Sequence, residues 1–314
     1  MASAVQNEYE PDVVSPPGET LLETLENLGM TQTELAERTG RPLKTVNEII
    51  KGKAAITPET ALQLERVLGI PARFWNSRER HYRENLARRE EDDRLNRQTE
   101  WLDDVPVKEL VKLGWIRKCP TVAEQAREVL NFYGVATPET WKELCQGTYY
   151  RKEGAVKENP AALVAWLRRG EQEARQIDCR PYDGKRFRAL LPRLRESTTI
   201  AGPIILVQEL QKVCAECGVA VVFISEIPGT RGTRLSGAAR WLGPDKGLIQ
   251  LSLRPGINER IWFTFFHEAG HLLLHGRRGL FVDDQVGEGD DSREAEASNF
   301  ARNLLTSPLD VQHR

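Results

Sequence analysis

The sequence predicts a mainly α chain that closes with a small α+β domain. Three observations lead there. Apolar residues recur at helical spacing through the first two thirds, beginning with Leu21, Leu22, Leu25 and Leu28. Strand-like runs appear only late: Val219–Ile224 follows a long helix expected at Ile204–Cys217, and further runs lie around Ser236–Trp241 and Leu248–Leu253. A late apolar helix carries His267-Glu268-Ala269-Gly270-His271, a pattern with chemistry of its own.

Length and composition bound the rest. At 314 residues the chain has room for two or three domains, and its net charge of −2 shows no global basic excess. No signal peptide and no apolar run near 20 residues is visible, so a cytoplasmic protein with no membrane partner is expected. Five cysteines, an odd number spread over a long chain, argue against a disulfide framework. Cys214 and Cys217 are the only close pair, and placement in a core is their expected role.

Residues 1–15 are polar and read as a flexible tail. Order is expected from Pro16-Pro17-Gly18, where a prolyl start precedes a helix ending at Gly29. Thr31 then offers an N-cap with Glu34 at capping-box spacing, and Gly40 ends that helix. Pro42 opens the next, through Ile50 and Lys51, with Gly52 as its stop. Two short helices around a tight glycine turn predict a helix-turn-helix, its second helix placed to enter a major groove. Val46, Ile49 and Ile50 would face the core, leaving Arg41, Lys44, Thr45, Asn47 and Lys51 outside. From Arg38 to Lys53 there are five basic residues and one acid, yet Pro16–Arg80 is balanced at nine each. A helical protein-binding module fits that balance as well.

Residues 16–84 resemble XRE-type DNA-binding domains, specifically those of HigA-like antitoxins. The likeness lies in Pro17-Gly18-Glu19, Gln32 through Gly52, Ile56-Thr57-Pro58-Glu59, and Ala61-Leu62-x-Leu64-x-x-Val67-Leu68-Gly69 leading into Phe74-Trp75. It implies a five-helix, lambda-repressor-like fold that binds operator DNA. It also implies DNA contacts from Gln32 and from the start of the second helix, where Leu43 could meet a thymine methyl.

Residues 85–195 read as a helical connector. Arg78–Gln98 is dense in both charges, and later helical units fall at Val107–Leu113, Val122–Phe132, Thr137–Cys145 and Ala161–Ala174. Trp115, Trp141 and Trp166 read as core anchors. No catalytic signature appears in this region.

Residues 196–314 carry the metal motif. Two imidazoles four residues apart fall about 40° apart around a helix, so both can reach one ion. Glu268 can point toward a water on that ion, the arrangement of a zinc hydrolase. Only five histidines occur in the chain, and three of them lie within 267–275. A third ligand is expected from a second helix, whose apolar stripe is Ala297, Phe300, Ala301, Leu304 and Leu305. Glu296, just before that stripe, is the expected ligand. Glu294, about 200° away around the helix, is expected in solvent. His275 reads either as a ligand-orienting or substrate-contacting group or as a polar residue near a helix end. Gly276–Asp291 reads as a solvated acidic loop.

This domain resembles the ImmA/IrrE metallopeptidases over about 196–310. The likeness lies in Ser236–Leu242, Gly247–Arg254, Trp262–Gly276 and Glu296-Ala297-x-x-Phe300-Ala301. It implies a zincin-like fold with Zn2+ bound by His267, His271 and Glu296, and Glu268 as general base. Ser298 departs from the family, which often has Asp or Asn there. Two functions are therefore expected. One is a DNA-binding regulator whose zinc endopeptidase cuts a repressor- or antitoxin-type regulatory protein. The other is a HigA-like antitoxin, binding operator and a cognate toxin, whose metal fold is weakly active or inactive. A homodimer is expected in either case.

Overall fold

Cap residues and glycine stops place the first helices where local chemistry expects them. In the computed structural model, which describes residues 15–150, 160–197, 203–227, 235–253, 258–275, 280–284 and 292–306, the chain divides into two compact units, Met1–Arg97 and Gln98–Arg314.

The first unit holds five helices: α1 (Pro17–Leu28), α2 (Gln32–Thr39), α3 (Leu43–Ile50), α4 (Pro58–Leu68) and α5 (Ala72–Arg97). Thr31 Oγ1 accepts from Glu34 N at 3.1 Å and starts α2. Gly40 ends it at φ 69°, a left-handed conformation that turns the chain into α3 at little steric cost. Leu21, Leu25, Leu35, Val46, Ile49, Ile56, Leu64 and Trp75 form the core, with Ile50 packed at its edge. Leu28, expected on the apolar stripe of α1, is instead exposed. Helix α5 runs 26 residues without interruption through the expected boundary at 84/85. Its early carboxylate Glu79 is buried, and Oε2 accepts from Ile56 N at 3.0 Å.

The second unit begins with a 3₁₀ turn at Glu100–Asp104 and continues through α6 (Val107–Lys112), α7 (Val122–Tyr133), α8 (Pro138–Tyr150), α9 (Pro160–Gln176), α10 (Gly184–Ser197) and α11 (Pro203–Ala215). Then come β1 (Val219–Ser225), β2 (Leu235–Gly243), β3 (Lys246–Leu253), α12 (Asn258–Leu274), β4 (Leu280–Asp284) and α13 (Ser292–Thr306). The sheet has the order β1-β3-β2-β4; β1 and β3 are parallel, the other neighbours antiparallel.

Both faces of this sheet are covered. Val219, Val221, Ala239, Ile249 and Leu251 pack with Phe265, Phe266, Ala269 and Leu272 of α12. The alternate residues Ala220, Val222, Ile224, Ala238 and Leu248 pack with Leu163, Trp166 and Leu167 of α9. Double coverage explains why β1 reads as a continuous apolar run and not as an alternation. It also corrects the expected division at 195/196. Helix α9 belongs to the same packed unit as the metal motif: Gln250 Nε2 donates to Trp166 O at 2.7 Å, and Arg240 Nη2 to Leu167 O at 2.7 Å. A second correction is β4, which lies inside the stretch expected to be an acidic loop. Its five residues become a strand by pairing with β2, a partner far away in sequence. The rest of that stretch, like the tail before Ser15, lies outside the described residues. Among the described residues no helix is long and apolar enough to cross a membrane.

Candidate functional site

Helix α12 is apolar around most of its circumference, so whatever polar groups it carries are taken into the interior with it. His267 is 2% exposed, His271 1% and Glu268 0%. Helix α13 crosses close by because the contact is made by small residues. A Cβ on Gly270 would lie 3.2 Å from the Cα of Ala297, so glycine sets the helix separation. That approach carries the first turn of α13 over the two histidines.

The carboxylate delivered there is Glu294. His267 Nε2 lies 3.1 Å from Glu294 Oε2, His271 Nε2 lies 3.3 Å from Glu294 Oε1, and the two Nε2 atoms are 3.0 Å apart. Among the described residues this is the one cluster of three possible ligands. Donor atoms held tetrahedrally at zinc distances stand roughly 3.3 Å from one another, so the triangle is close to the size a zinc ion needs. The charge states match as well. Burial pushes His271 below its ordinary pKa against the pull of Glu294, which keeps the ring neutral. Burial also opposes ionisation of Glu294, but the bonds from His267 and His271 outweigh it and hold the carboxyl at about 2. Neutral imidazole and ionised carboxylate are the forms that bind a metal.

Glu296, the expected third ligand, is not in this cluster. It is 61% exposed, and its Oε2 lies 3.1 Å from His275 Nε2. The expected positions of the two carboxylates are therefore exchanged. The reason is visible in the spacing: Glu294 precedes the buried Ala297 and Ala301 by three and seven residues and so shares their face. Glu296 lies about 100° off Ala297, at the rim. Reading the stripe from Ala297 and Ala301, and not from its first member's neighbour, would have found Glu294.

The remaining groups surround the cluster. His275 sits one turn beyond His271, its Nδ1 3.0 Å from His271 Nδ1. Ser298 Oγ lies 3.3 Å from His267 Nδ1. Glu268 faces β2 at Gly237, where an added Cβ would come within 2.6 Å of Glu268 Oε1; only glycine leaves space for this carboxylate.

On the first unit, α3 presents Leu43 and Lys44 in solvent, with Thr45 and Asn47 half-buried; Lys51 just beyond its end is exposed, and Gln32 at the start of α2 is half-buried. Lys44 pairs with Glu48 at 3.8 Å. Arg41 differs from expectation: it is held by α4, with Nε donating to Gln63 Oε1 at 2.5 Å and Nη2 lying 3.6 Å from Glu59. Its guanidinium is therefore partly engaged by its own domain.

A helix-turn-helix family model matches residues 21–75, which bears out the expected helix-turn-helix. The HTH-type transcriptional regulator YddM of Escherichia coli K12 is 34% identical over 59 residues, 19% of this chain; the match spans 63% of that relative's length. Among solved structures, an addiction module antidote protein of the HigA family from Coxiella burnetii is 29% identical. It matches over 27% of this chain and 94% of its own, with a TM-score of 0.25. The antitoxin HigA of Pseudomonas aeruginosa, solved with the higBA promoter, is 24% identical over 27% of this chain and 95% of its own, with a TM-score of 0.26. The first unit is a helix-turn-helix domain.

Proposed function

We propose that the chain is a DNA-binding transcriptional regulator whose second unit is a zinc endopeptidase of the ImmA/IrrE type, acting on a repressor- or antitoxin-type regulatory protein. The observation that carries this reading is the convergence of His267 Nε2, His271 Nε2 and the Glu294 carboxylate within 3.0 to 3.3 Å, with Glu268 buried beside them.

Zinc, when bound, supplies Lewis acidity that polarises a peptide carbonyl and makes a water acidic. The residues of this chain do the rest. His267, His271 and Glu294 would hold the ion through two imidazole nitrogens and a carboxylate. Glu268 accepts the proton of the attacking water and delivers it to the leaving amine nitrogen. The interior around Glu268 excludes bulk water, which strengthens each of these interactions.

On the first unit, Lys44 and Asn47 would face bases while Gln32 and Lys51 hold phosphates. The short α3 reads few base pairs, so a homodimer on an inverted repeat is the form that gives specificity.

The test compares wild-type, Glu268→Gln and Asn47→Ala strains by partner-protein levels and local transcription. Glu268→Gln preserves shape and all three ligands, so zinc content and DNA binding should persist while a partner protein accumulates. If Glu268→Gln behaves as wild type in every condition while Asn47→Ala derepresses the local operon, the peptidase reading is lost. A DNA-binding antitoxin with a metal-binding fold would remain.

A further inference from the structure

We propose that His275 and Glu296 form an anchor that fixes the tautomer and ring orientation of His271, a positioning role resting on the zinc centre of His267, His271 and Glu294. His271 Nε2 faces His267 and Glu294, so holding a cation there uses its lone pair and leaves its proton on Nδ1. That Nδ1–H lies 3.0 Å from His275 Nδ1, which must then accept. His275 in turn carries its own proton on Nε2, 3.1 Å from Glu296 Oε2, and a carboxylate there accepts it. Each link has one polarity consistent with a metal on His271.

The backbone prepares the contact. His275 N donates to His271 O at 3.1 Å, closing the last turn of α12 and setting the two rings 5.1 Å apart. The His275 ring is itself buried, at 4% exposure, while Glu296 reaches it from the surface of α13. His267 is held differently. Its Nδ1 meets Ser298 Oγ at 3.3 Å, and a hydroxyl can donate or accept, so that contact imposes no tautomer. Polarity at the site is thus set on the His271 side. Two carboxylates of one helical turn divide the work: Glu294 toward the ion, Glu296 behind the ring that binds it.

The test measures zinc affinity of the full chain by chelator competition, for wild type, Glu296→Ala, Glu296→Gln and His275→Phe. Loss of a group that orients a metal ligand typically weakens binding about 10- to 100-fold. We expect that loss for Glu296→Ala and His275→Phe, with one zinc per chain still reached at saturation. Glu296→Gln, whose amide oxygen can still accept, should recover most of it. Proton NMR of the zinc-loaded protein should show a slowly exchanging His271 Nδ1–H in wild type and its loss to exchange broadening in His275→Phe. Glu296 is exposed, so its variants should melt with wild type and keep the comparison free of folding defects. Wild-type affinity in both Glu296→Ala and His275→Phe overturns the anchor alone. Complete loss of zinc on Glu296→Ala makes it a ligand and also overturns the anchor. A wild-type chain that takes up no zinc overturns the metal centre, and the anchor with it.

Discussion

Two helix pairs carry the candidate sites of this chain, and they bury opposite things. The pair α2 and α3 turns Leu35, Val46 and Ile49 inward and keeps Lys44 and Lys51 in water. The pair α12 and α13 takes His267, Glu268 and His271 into the interior and leaves Leu274 exposed. In the first pair the functional face is what remains after a core has formed. In the second the candidate groups are part of the core, so the packing that stabilises the unit also sets the cluster's distances. A change on the solvent face of α3 should therefore touch binding alone, whereas a change in the buried pair should move geometry and stability together.

The sharpest break in the buried pair is Glu268→Gln. Removing a general base typically lowers rate on the order of 10² to 10⁴. Under the proposed peptidase function, turnover of the partner protein should fall accordingly while zinc content stays at wild type. Glu294→Ala comes next: elemental analysis should find zinc lost, while Glu296→Ala retains it at saturation. Equal retention in both would remove Glu294 from the site. Gly270→Val sharpens the contrast, because it adds bulk 3.2 Å from Ala297 without touching a ligand. Overpacking of this kind costs about 1 to 3 kcal/mol. Thermal unfolding should register it together with weaker zinc binding; a change in only one of the two would show that packing and site are separable.

The exposed pair should respond more narrowly. Lys51→Ala should lower the salt slope of DNA binding by about one unit across all sequences, whereas Asn47→Ala should relax sequence preference. A shift assay without sequence preference at moderate salt would sink the assignment of α3 as the reading helix. The smallest effect expected is Thr31→Ala, which removes the bond to Glu34 N and costs about 1 kcal/mol. It should lower the melting temperature of the first unit and leave zinc affinity unchanged.

These contrasts follow from how each element is specified. The sequence specifies the helix-turn-helix through local signals. Thr31 caps, Gly40 turns, and Leu35, Val46 and Ile49 sit at helical spacing within a few residues of one another. It also determined that His267 and His271 share a face, since four residues on one helix fix that relation. Which carboxylate joins the two histidines depends on how two distant helices meet, so the three-dimensional packing settles it. Gly270 against Ala297 sets their approach, and the approach selects Glu294 over Glu296. The same holds for β4, whose strand exists through its pairing with β2, and for α9, which covers the second face of the sheet. Residues far apart in sequence supply these partners, and no local pattern encodes which carboxylate an approaching helix will deliver.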